Sequence, residues 1–166
     1  MGIIHFDMKP ENVLLDKIYN HSNNNYFTLP TAKISDFGTS LFNKLNASFL
    51  NDIDYTLRYS APERIGNNCH INNWKLCDVF SFGMTIYSVM LGHYPFNNVK
   101  DDCEVTKFIV NGHLPDEYES IVDEELKILF IRCCIKEQKY RPMIKHVLID
   151  LERMKSRKTY CPYTNK

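Results

Sequence analysis

The fold of this chain is indicated first by the stretch Ile3-Ile4-His5-Phe6-Asp7-Met8-Lys9-Pro10-Glu11-Asn12-Val13-Leu14-Leu15-Asp16. It places a carboxylate (Asp7), an ammonium group (Lys9) and a carboxamide (Asn12) on one proline-containing loop between two short apolar runs. Phosphoryl transfer requires these groups: a carboxylate that orients a hydroxyl, a cation for the phosphoryl charge and an oxygen ligand for magnesium.

The composition is that of an ordinary globular protein. The 166 residues are 44% hydrophobic and 24% charged, which suits one domain with a real core. Twenty basic residues balance twenty acidic ones, so no nucleic-acid or membrane partner is indicated. The longest apolar stretch, residues 79–91, is shorter than the ~20 residues of a membrane span. No signal peptide precedes the first motif, and the six cysteines lack zinc-like spacing. We expect a soluble cytoplasmic protein with reduced thiols.

Hydrophobic periodicity predicts a small hairpin followed by helices. Residues 13–16 and 31–35 read as paired strands, separated by the polar, turn-rich run 20–25, which we interpret as an enlarged solvated loop. A helix is predicted from Lys75, where the stretch to Gly83 is followed by apolar residues on every side through Leu91, as in a buried helix. A second helix is predicted over 102–111, with Gly112 as its stop. Two further helices follow, the first with Leu126, Leu129, Phe130, Cys133 and Cys134 at helical spacing, the last with Ile144, Val147, Leu148 and Leu151 on its buried side. Fraying is expected after about residue 157.

Three motifs occur in a fixed order. The Asp7-x-Lys9-x-x-Asn12 loop is followed by Asp36-Phe37-Gly38 and then by Ala61-Pro62-Glu63. In this order and at these spacings the chain resembles the C-terminal lobe (C-lobe) of a eukaryotic protein kinase, from residue 3 to about residue 151. The resemblance implies an α+β, mainly α fold: a helical lobe with a short β-hairpin beside the catalytic and activation loops. We assign residues 1–155 to the C-lobe and 156–166 to a C-terminal tail.

The resemblance also assigns roles at the site. Asp7 aligns with the catalytic base, and Lys9 would neutralise charge on the transferring phosphoryl group. Asn12 and Asp36 align with the two magnesium ligands. ATP and Mg²⁺ are therefore the expected cofactors and a protein is the expected substrate. The residues expected to bind the nucleotide are Lys9, Glu11, Asn12, Leu14 (under the adenine) and Asp36.

Further residues match the activation segment and the structural framework. Thr56 stands where the family has a threonine that contacts the catalytic aspartate and lysine, which together with Lys9 indicates serine/threonine specificity. Glu63 and Arg141 match a buried ion pair, and Asp78 matches an aspartate that holds the catalytic-loop backbone. The other structural positions are His5 and Phe37, expected to stack over Asp78, and Gly38.

Phe6 departs from the family pattern. It replaces an arginine that normally pairs with a phosphate on the activation loop, and phenylalanine cannot make that pair. We therefore expect activation not to depend on a phosphate read at this position. Candidate phosphorylation sites are Ser40, Ser48, Tyr55 and Thr56.

No glycine-rich loop, strand lysine or partner glutamate is found in the sequence, so half of the ATP site is not represented. From this we expect the N-lobe to be absent and the isolated chain to be inactive or nearly so. We also expect an apolar patch beside the central helix, which a partner could cover.

Three functions are consistent with these observations. The first is a serine/threonine kinase, leaning toward the tyrosine-kinase-like group, because the catalytic set is retained. The second is a non-catalytic, pseudokinase-type module that binds partners, which Phe6 and the missing lobe favour. The third, an unrelated metal-dependent hydrolase using Asp7 and Asp36, would leave Ala61-Pro62-Glu63, Asp78 and Arg141 unexplained.

Overall fold

The structure, a computed structural model, describes residues 3–17, 30–42, 55–65 and 73–159. Predictions for the polar run 20–25, for Ser48, for Cys69 and Cys161 and for the tail beyond Thr159 lie outside these residues.

Four strands in the described part of the chain form two small antiparallel sheets. Strand β2 (Val13–Lys17) pairs with β3 (Pro30–Ile34), with Val13 opposite Ile34, which confirms the predicted hairpin. Strand β1 (Ile3–Ile4) pairs with β4 (Leu41–Phe42). The second sheet was not predicted, because two-residue strands are too short to show an alternating pattern.

Five α-helices account for most of the other described residues: α1 (Pro62–Ile65), α2 (Lys75–Leu91), α3 (Asp102–Asn111), α4 (Glu124–Cys133) and α5 (Ile144–Thr159). Short 3-10 turns lie at Pro10–Asn12, Leu57–Tyr59, Asp116–Ser120 and Gln138–Tyr140. Helix α3 has the bounds predicted from the sequence. It begins after Asp101, whose carboxylate accepts the Cys103 amide at 3.0 Å. It ends at Gly112, whose φ of +83° favours glycine.

Helix α2 is the centre of the core. Most of its residues are buried, as its apolar sequence predicted, although Val89 near its C-terminal end is exposed. The helix packs closely on α4 at Gly83, where an added Cβ would lie only 2.6 Å from Cys134 Sγ and 2.8 Å from Cys133 Cβ. Glycine is therefore required at this position for the close approach of the two helices.

Helix α5 is less buried than predicted. Val147 is buried and Leu151 half-buried, but Ile144 and Leu148 are each 56% exposed, so the prediction that these two lie on the buried side is wrong. The helix touches the core along a narrow stripe, and the apolar residues beside that stripe remain outside it. Helix α5 continues to Thr159, two residues beyond Arg157, after which fraying was expected.

Among the described residues, no helix combines the length and the apolar character that crossing a bilayer demands.

Candidate active site

The loop of residues 5–12, the candidate catalytic loop, is anchored to helix α2 through Asp78. One carboxylate oxygen of Asp78 accepts the His5 amide at 2.7 Å, and the other accepts the Phe6 amide at 2.8 Å. Burial raises the pKa of Asp78, while the two amide hydrogen bonds and the positive charge of Arg64 favour its carboxylate. A single aspartate therefore fixes two consecutive peptide units immediately before Asp7.

His5 connects this loop to the Asp36-Phe37-Gly38 turn. Its Nδ1 lies 3.3 Å from the Asp7 amide and accepts from it, so its Nε2 carries the proton and donates to the Ser35 carbonyl at 2.9 Å. The His5 ring meets the Phe37 ring edge-on, with centroids 4.9 Å apart. The structure thus brings His5, Phe37 and Asp78 together.

Asp7, Lys9 and Thr56 form a closed polar ring. Thr56 Oγ1 donates to Asp7 Oδ1 at 2.7 Å and accepts from Lys9 Nζ at 2.8 Å. Lys9 Nζ also lies 2.7 Å from Asp7 Oδ2, which accepts a further hydrogen bond from Asn12 Nδ2 at 3.0 Å. The four residues that the sequence placed in the catalytic set are therefore connected, with Asp7 in contact with each of the other three.

This ring controls the ionisation of Asp7. Burial alone would raise the pKa of its carboxyl group. The hydrogen bonds from Lys9 and Thr56, the Lys9 charge and the Asn12 hydrogen bond outweigh burial and hold the pKa below its usual value of 3.8. Asp7 is therefore a carboxylate throughout the neutral range, with both oxygens oriented by donors.

Asn12 and Asp36 offer oxygen atoms of the kind that magnesium prefers. Asn12 is buried and directs its amide nitrogen at Asp7, and within the described residues no group donates to its side-chain oxygen. The Ser35 amide and hydroxyl both donate to the Asn12 carbonyl, at 2.8 and 3.0 Å, which fixes the residue before Asp36 against the loop. Asp36 itself is exposed and has a positive φ of 58°. An amide oxygen and a carboxylate fit Mg²⁺, whose remaining ligands in kinases are phosphate oxygens and water.

Glu11 and Leu14, also assigned to the nucleotide, are both exposed, and Leu14 lies on β2. They take no part in the polar ring. Gly38 donates its amide to Asp36 Oδ1 at 3.3 Å, closing the turn around this aspartate.

Phe6 occupies an unusual backbone conformation. Its φ is +66°, a left-handed value that costs a non-glycine residue roughly 1–3 kcal/mol and recurs at functional sites. The ring is buried against Trp74 at a centroid distance of 5.6 Å, and the guanidinium of Arg64 lies 4.7 Å from its centre. Sequence reasoning identified the substitution at Phe6 but missed Arg64. The available signal was a cation just beyond Ala61-Pro62-Glu63, in a chain that lacks the expected loop arginine.

Arg58 holds the activation segment on the helical lobe and was also missed. Its guanidinium donates to the carbonyls of Phe96 at 2.5 Å and Val99 at 2.9 Å, and it lies 5.1 Å from the centre of the Tyr94 ring. The neighbouring Tyr59 shares a buried hydrogen bond of 3.0 Å with Ser88 on α2. These contacts fix the segment that carries Thr56, but they join residues roughly 30–40 positions apart, which no local pattern reveals.

Glu63 and Arg141 form a buried, bidentate ion pair. The two guanidinium nitrogens donate to the two carboxylate oxygens at 2.6 and 2.7 Å, and the Arg141 side chain is fully buried. Arg141 also donates to the carbonyls of Ile135, Leu76 and Lys136. Burial would raise the pKa of Glu63, but Arg141 and the Gln138 hydrogen bond hold it below the usual value. The pair joins α1 to the turn before α5.

An apolar cavity of about 230 Å³ opens beside the catalytic loop and α2. Four of its lining residues, Ile3, Ile34, Phe37 and Ile144, are each more than half exposed. Exposed aliphatic and aromatic side chains in one cluster form an apolar face, in the region where the sequence predicted one.

Comparison with known proteins agrees with this geometry. The family model described as protein kinase domain matches residues 1–150. The serine/threonine-protein kinase VIK of Arabidopsis thaliana is 32% identical over 157 residues, which cover 92% of this chain and 33% of VIK. The kinase ppk16 of Schizosaccharomyces pombe is 28% identical over 89% of this chain and 20% of its own length. Human receptor-interacting serine/threonine-protein kinase 4 is 32% identical over 69% of the chain and 13% of its own length. The chain spans a third or less of each of these relatives. With a family model matching nearly its whole length, the chain belongs to the protein kinase family.

Proposed function

We propose that this chain supplies the catalytic loop of a cytoplasmic serine/threonine protein kinase, which transfers the γ-phosphate of ATP to hydroxyl groups of a protein substrate. The observation that carries the proposal is the closed ring of Asp7, Lys9 and Thr56, with distances of 2.7–2.8 Å. The names of the relatives support serine/threonine specificity.

Asp7 is the group that orients the incoming hydroxyl and accepts its proton. Its carboxylate is held on both oxygens, by Thr56 on one side and by Lys9 and Asn12 on the other. A base fixed in this way loses little orientational freedom when the substrate arrives, which is the basis of catalysis by positioning. When the substrate hydroxyl binds, the Lys9 ammonium is close enough to share its charge with the phosphoryl oxygens.

Asn12 and Asp36 would hold Mg²⁺, and Lys9 and Leu14 would contact the nucleotide, with Glu11 at the edge of its site. The metal, when bound, would neutralise phosphate charge. The residues of this chain orient these two side chains. Ser35, which precedes Asp36, donates two hydrogen bonds to the Asn12 carbonyl, and the Asn12 side chain donates to the Asp7 carbonyl.

Replacing the proposed base tests this function directly. In the full-length protein, Asp7→Asn should lower kcat on a serine-containing peptide by about 10²–10⁴-fold, because the general base is lost. The matched control is Glu152→Gln, an exposed carboxylate on α5, which should leave kcat unchanged. Equal activity of Asp7→Asn and the wild type would reject the assignment.

A non-catalytic, partner-binding role is the second candidate, and the apolar face lined by Ile3, Ile34, Phe37 and Ile144 favours it. The intact mass of the native protein from its source cells separates the two. Peptides containing a glycine-rich loop and a strand lysine would support the kinase. A native mass near 19.6 kDa would support the binding module, and the protein that copurifies with it would then be the partner to identify.

A further inference from the structure

Arg64 contacts the residues that precede two members of the catalytic ring. Its guanidinium carbon lies 4.7 Å from the centre of the Phe6 ring and 5.5 Å from the centre of the Tyr55 ring, and Nη1 donates to the Phe6 carbonyl. Phe6 is followed by Asp7 and Tyr55 by Thr56, and Asp7 and Thr56 are joined by the 2.7 Å hydrogen bond. The Arg64 side chain on α1 therefore contacts both the residue before Asp7 and the residue before Thr56.

The contact with Phe6 complements the anchor at Asp78. The Phe6 amide is held by Asp78, and its carbonyl is held by Arg64, so both peptide groups of the left-handed residue have a charged partner. Hydrogen bonds to charged groups are the stronger kind. The backbone that aims Asp7 is therefore fixed from α2 at one end and from α1 at the other.

Arg64 also brings a positive charge to a loop that has a phenylalanine where the family has an arginine. Burial lowers the pKa of Arg64, but negative groups around it, among them Asp7 and Asp78, favour the charged form. Arginine stays protonated under such conditions.

We propose that Arg64 is a positioning residue that locks the catalytic loop to the activation segment, so that the Asp7–Thr56 contact forms without a phosphate on that segment. This inference rests on the proposed role of Asp7 in phosphoryl transfer. Arg64 does not touch the reacting groups. It acts through Phe6 and Tyr55, which it holds together by contacts within the chain, with no phosphate needed to join the two segments.

The first test separates the charge of Arg64 from its bulk, in the full-length protein. Arg64→Met should lower kcat by about 100-fold, as expected for a misplaced catalytic group, and leave the KM for ATP unchanged. Arg64→Gln keeps a donor without the charge and should lose kcat as well, whereas Arg64→Lys should recover most of it. The control is Arg153→Met on α5, where the side chain is 69% exposed. Wild-type kcat in Arg64→Met or Arg64→Gln, or a raised KM alone, would overturn the proposal.

The second test examines the phosphate. Wild-type protein treated with a phosphatase, and shown by mass spectrometry to carry no phosphate on residues 35–65, should retain its kcat. Loss of activity that returns when the segment is rephosphorylated would overturn the proposal.

A third measurement does not require activity. In Arg64→Met, amide hydrogen exchange should be faster in peptides covering residues 3–12 and 55–60, because the Phe6 amide and the bond from the Tyr59 amide to the Thr56 carbonyl are loosened. Exchange in α4 and α5 should be unchanged. If the wild-type protein transfers no phosphate, the proposed function fails, and this exchange pattern still decides whether Arg64 holds the two segments. Unchanged exchange in Arg64→Met would reject that role.

Discussion

Asp7 is surrounded by donors before any substrate is present. Thr56, Lys9 and Asn12 all stabilise its negative form, and they lower its pKa in spite of burial. Because the folded-state pKa is depressed, these contacts contribute stability above the ordinary carboxyl pKa, and they lose it as the pH falls through the lower, folded-state value. Acid therefore weakens the ring and protonates Asp7, the proposed base, together.

Thr56 provides the first prediction at this scale. Thr56→Val removes the donor to Asp7 Oδ1 and the acceptor for Lys9, so the pKa of Asp7 should rise and the acidic limb of the pH profile of kcat/KM should move to higher pH. We expect kcat to fall by about 10-fold or more, since an oriented hydrogen bond to a charged group is lost. Thr56→Ser keeps the hydroxyl and should behave like the wild type. An acidic limb that stays in place in Thr56→Val would contradict this assignment.

At the scale of elements, the structure depends on a few ties between distant segments. Glu63 joins α1 to Arg141, and Gly83 allows α2 to approach α4. Neither residue is easily replaced. Glu63 neutralises a buried charge that must be paired, and Gly83 lies where the backbone leaves no room for a side chain.

Glu63→Gln should destabilise the fold by about 3–5 kcal/mol at neutral pH, because it leaves the fully buried Arg141 without its counter-charge. The pKa of Glu63 is lowered in the folded state, so its contribution is present above the ordinary value of 4.5 and is lost as the pH falls through the lower value. Urea unfolding of the variant and the wild type across this range should show a difference that shrinks in acid. Glu124→Gln, in an exposed pair with Lys127, should show almost none. A difference that does not depend on pH would argue against the ion pair as its source.

Gly83→Ala should destabilise the chain by about 1–3 kcal/mol, since the added methyl group would overlap Cys133 and Cys134 and push α2 away from α4. Thermal unfolding measures the effect. Val89→Ala in the same helix changes an exposed side chain and should have a much smaller effect. If the two variants melt alike, the close approach of the helices contributes little to stability.

The sequence was most informative where its patterns are local. Helices α2 and α3, the β2–β3 hairpin and the residues that form the catalytic ring all follow from periodicity or from a motif. It failed where tertiary packing decides. Ile144 and Leu148 have helical spacing but face away from the core. The roles of Arg58 and Arg64 depend on partners that lie, for the most part, tens of residues away, and a surface arginine and a buried one look alike in a sequence.

At the scale of the whole molecule, the apolar face beside the loop that carries Asp7 departs from an ordinary protein surface. Its exposed members come from β1, β3, the Asp36-Phe37-Gly38 turn and the start of α5, so it is a property of the assembled fold. Clusters of this kind mark surfaces that contact another polypeptide.

This face predicts how the 166-residue chain behaves when it is produced alone. It should bind a hydrophobic dye such as ANS and associate with itself as its concentration rises. The double substitution Ile3→Ser, Phe37→Ser should reduce both effects, as measured by dye fluorescence and by light scattering. Val122→Ser changes an isolated side chain that is 91% exposed and should alter neither. Equal dye binding by both variants would locate the exposed apolar surface elsewhere.

The anchoring of the catalytic loop by Asp78 has a consequence for biosynthesis. The His5 amide lies 73 residues before its partner Asp78 in the sequence, and Glu63 lies 78 residues before its partner Arg141. At the usual 5–20 residues per second, a ribosome needs about 4–15 s to extend the chain from the loop to its anchor. During that interval the nascent chain displays Asp7, Lys9 and Asn12 without the helix that orients them. The loop is therefore synthesised several seconds before the helix that fixes its conformation.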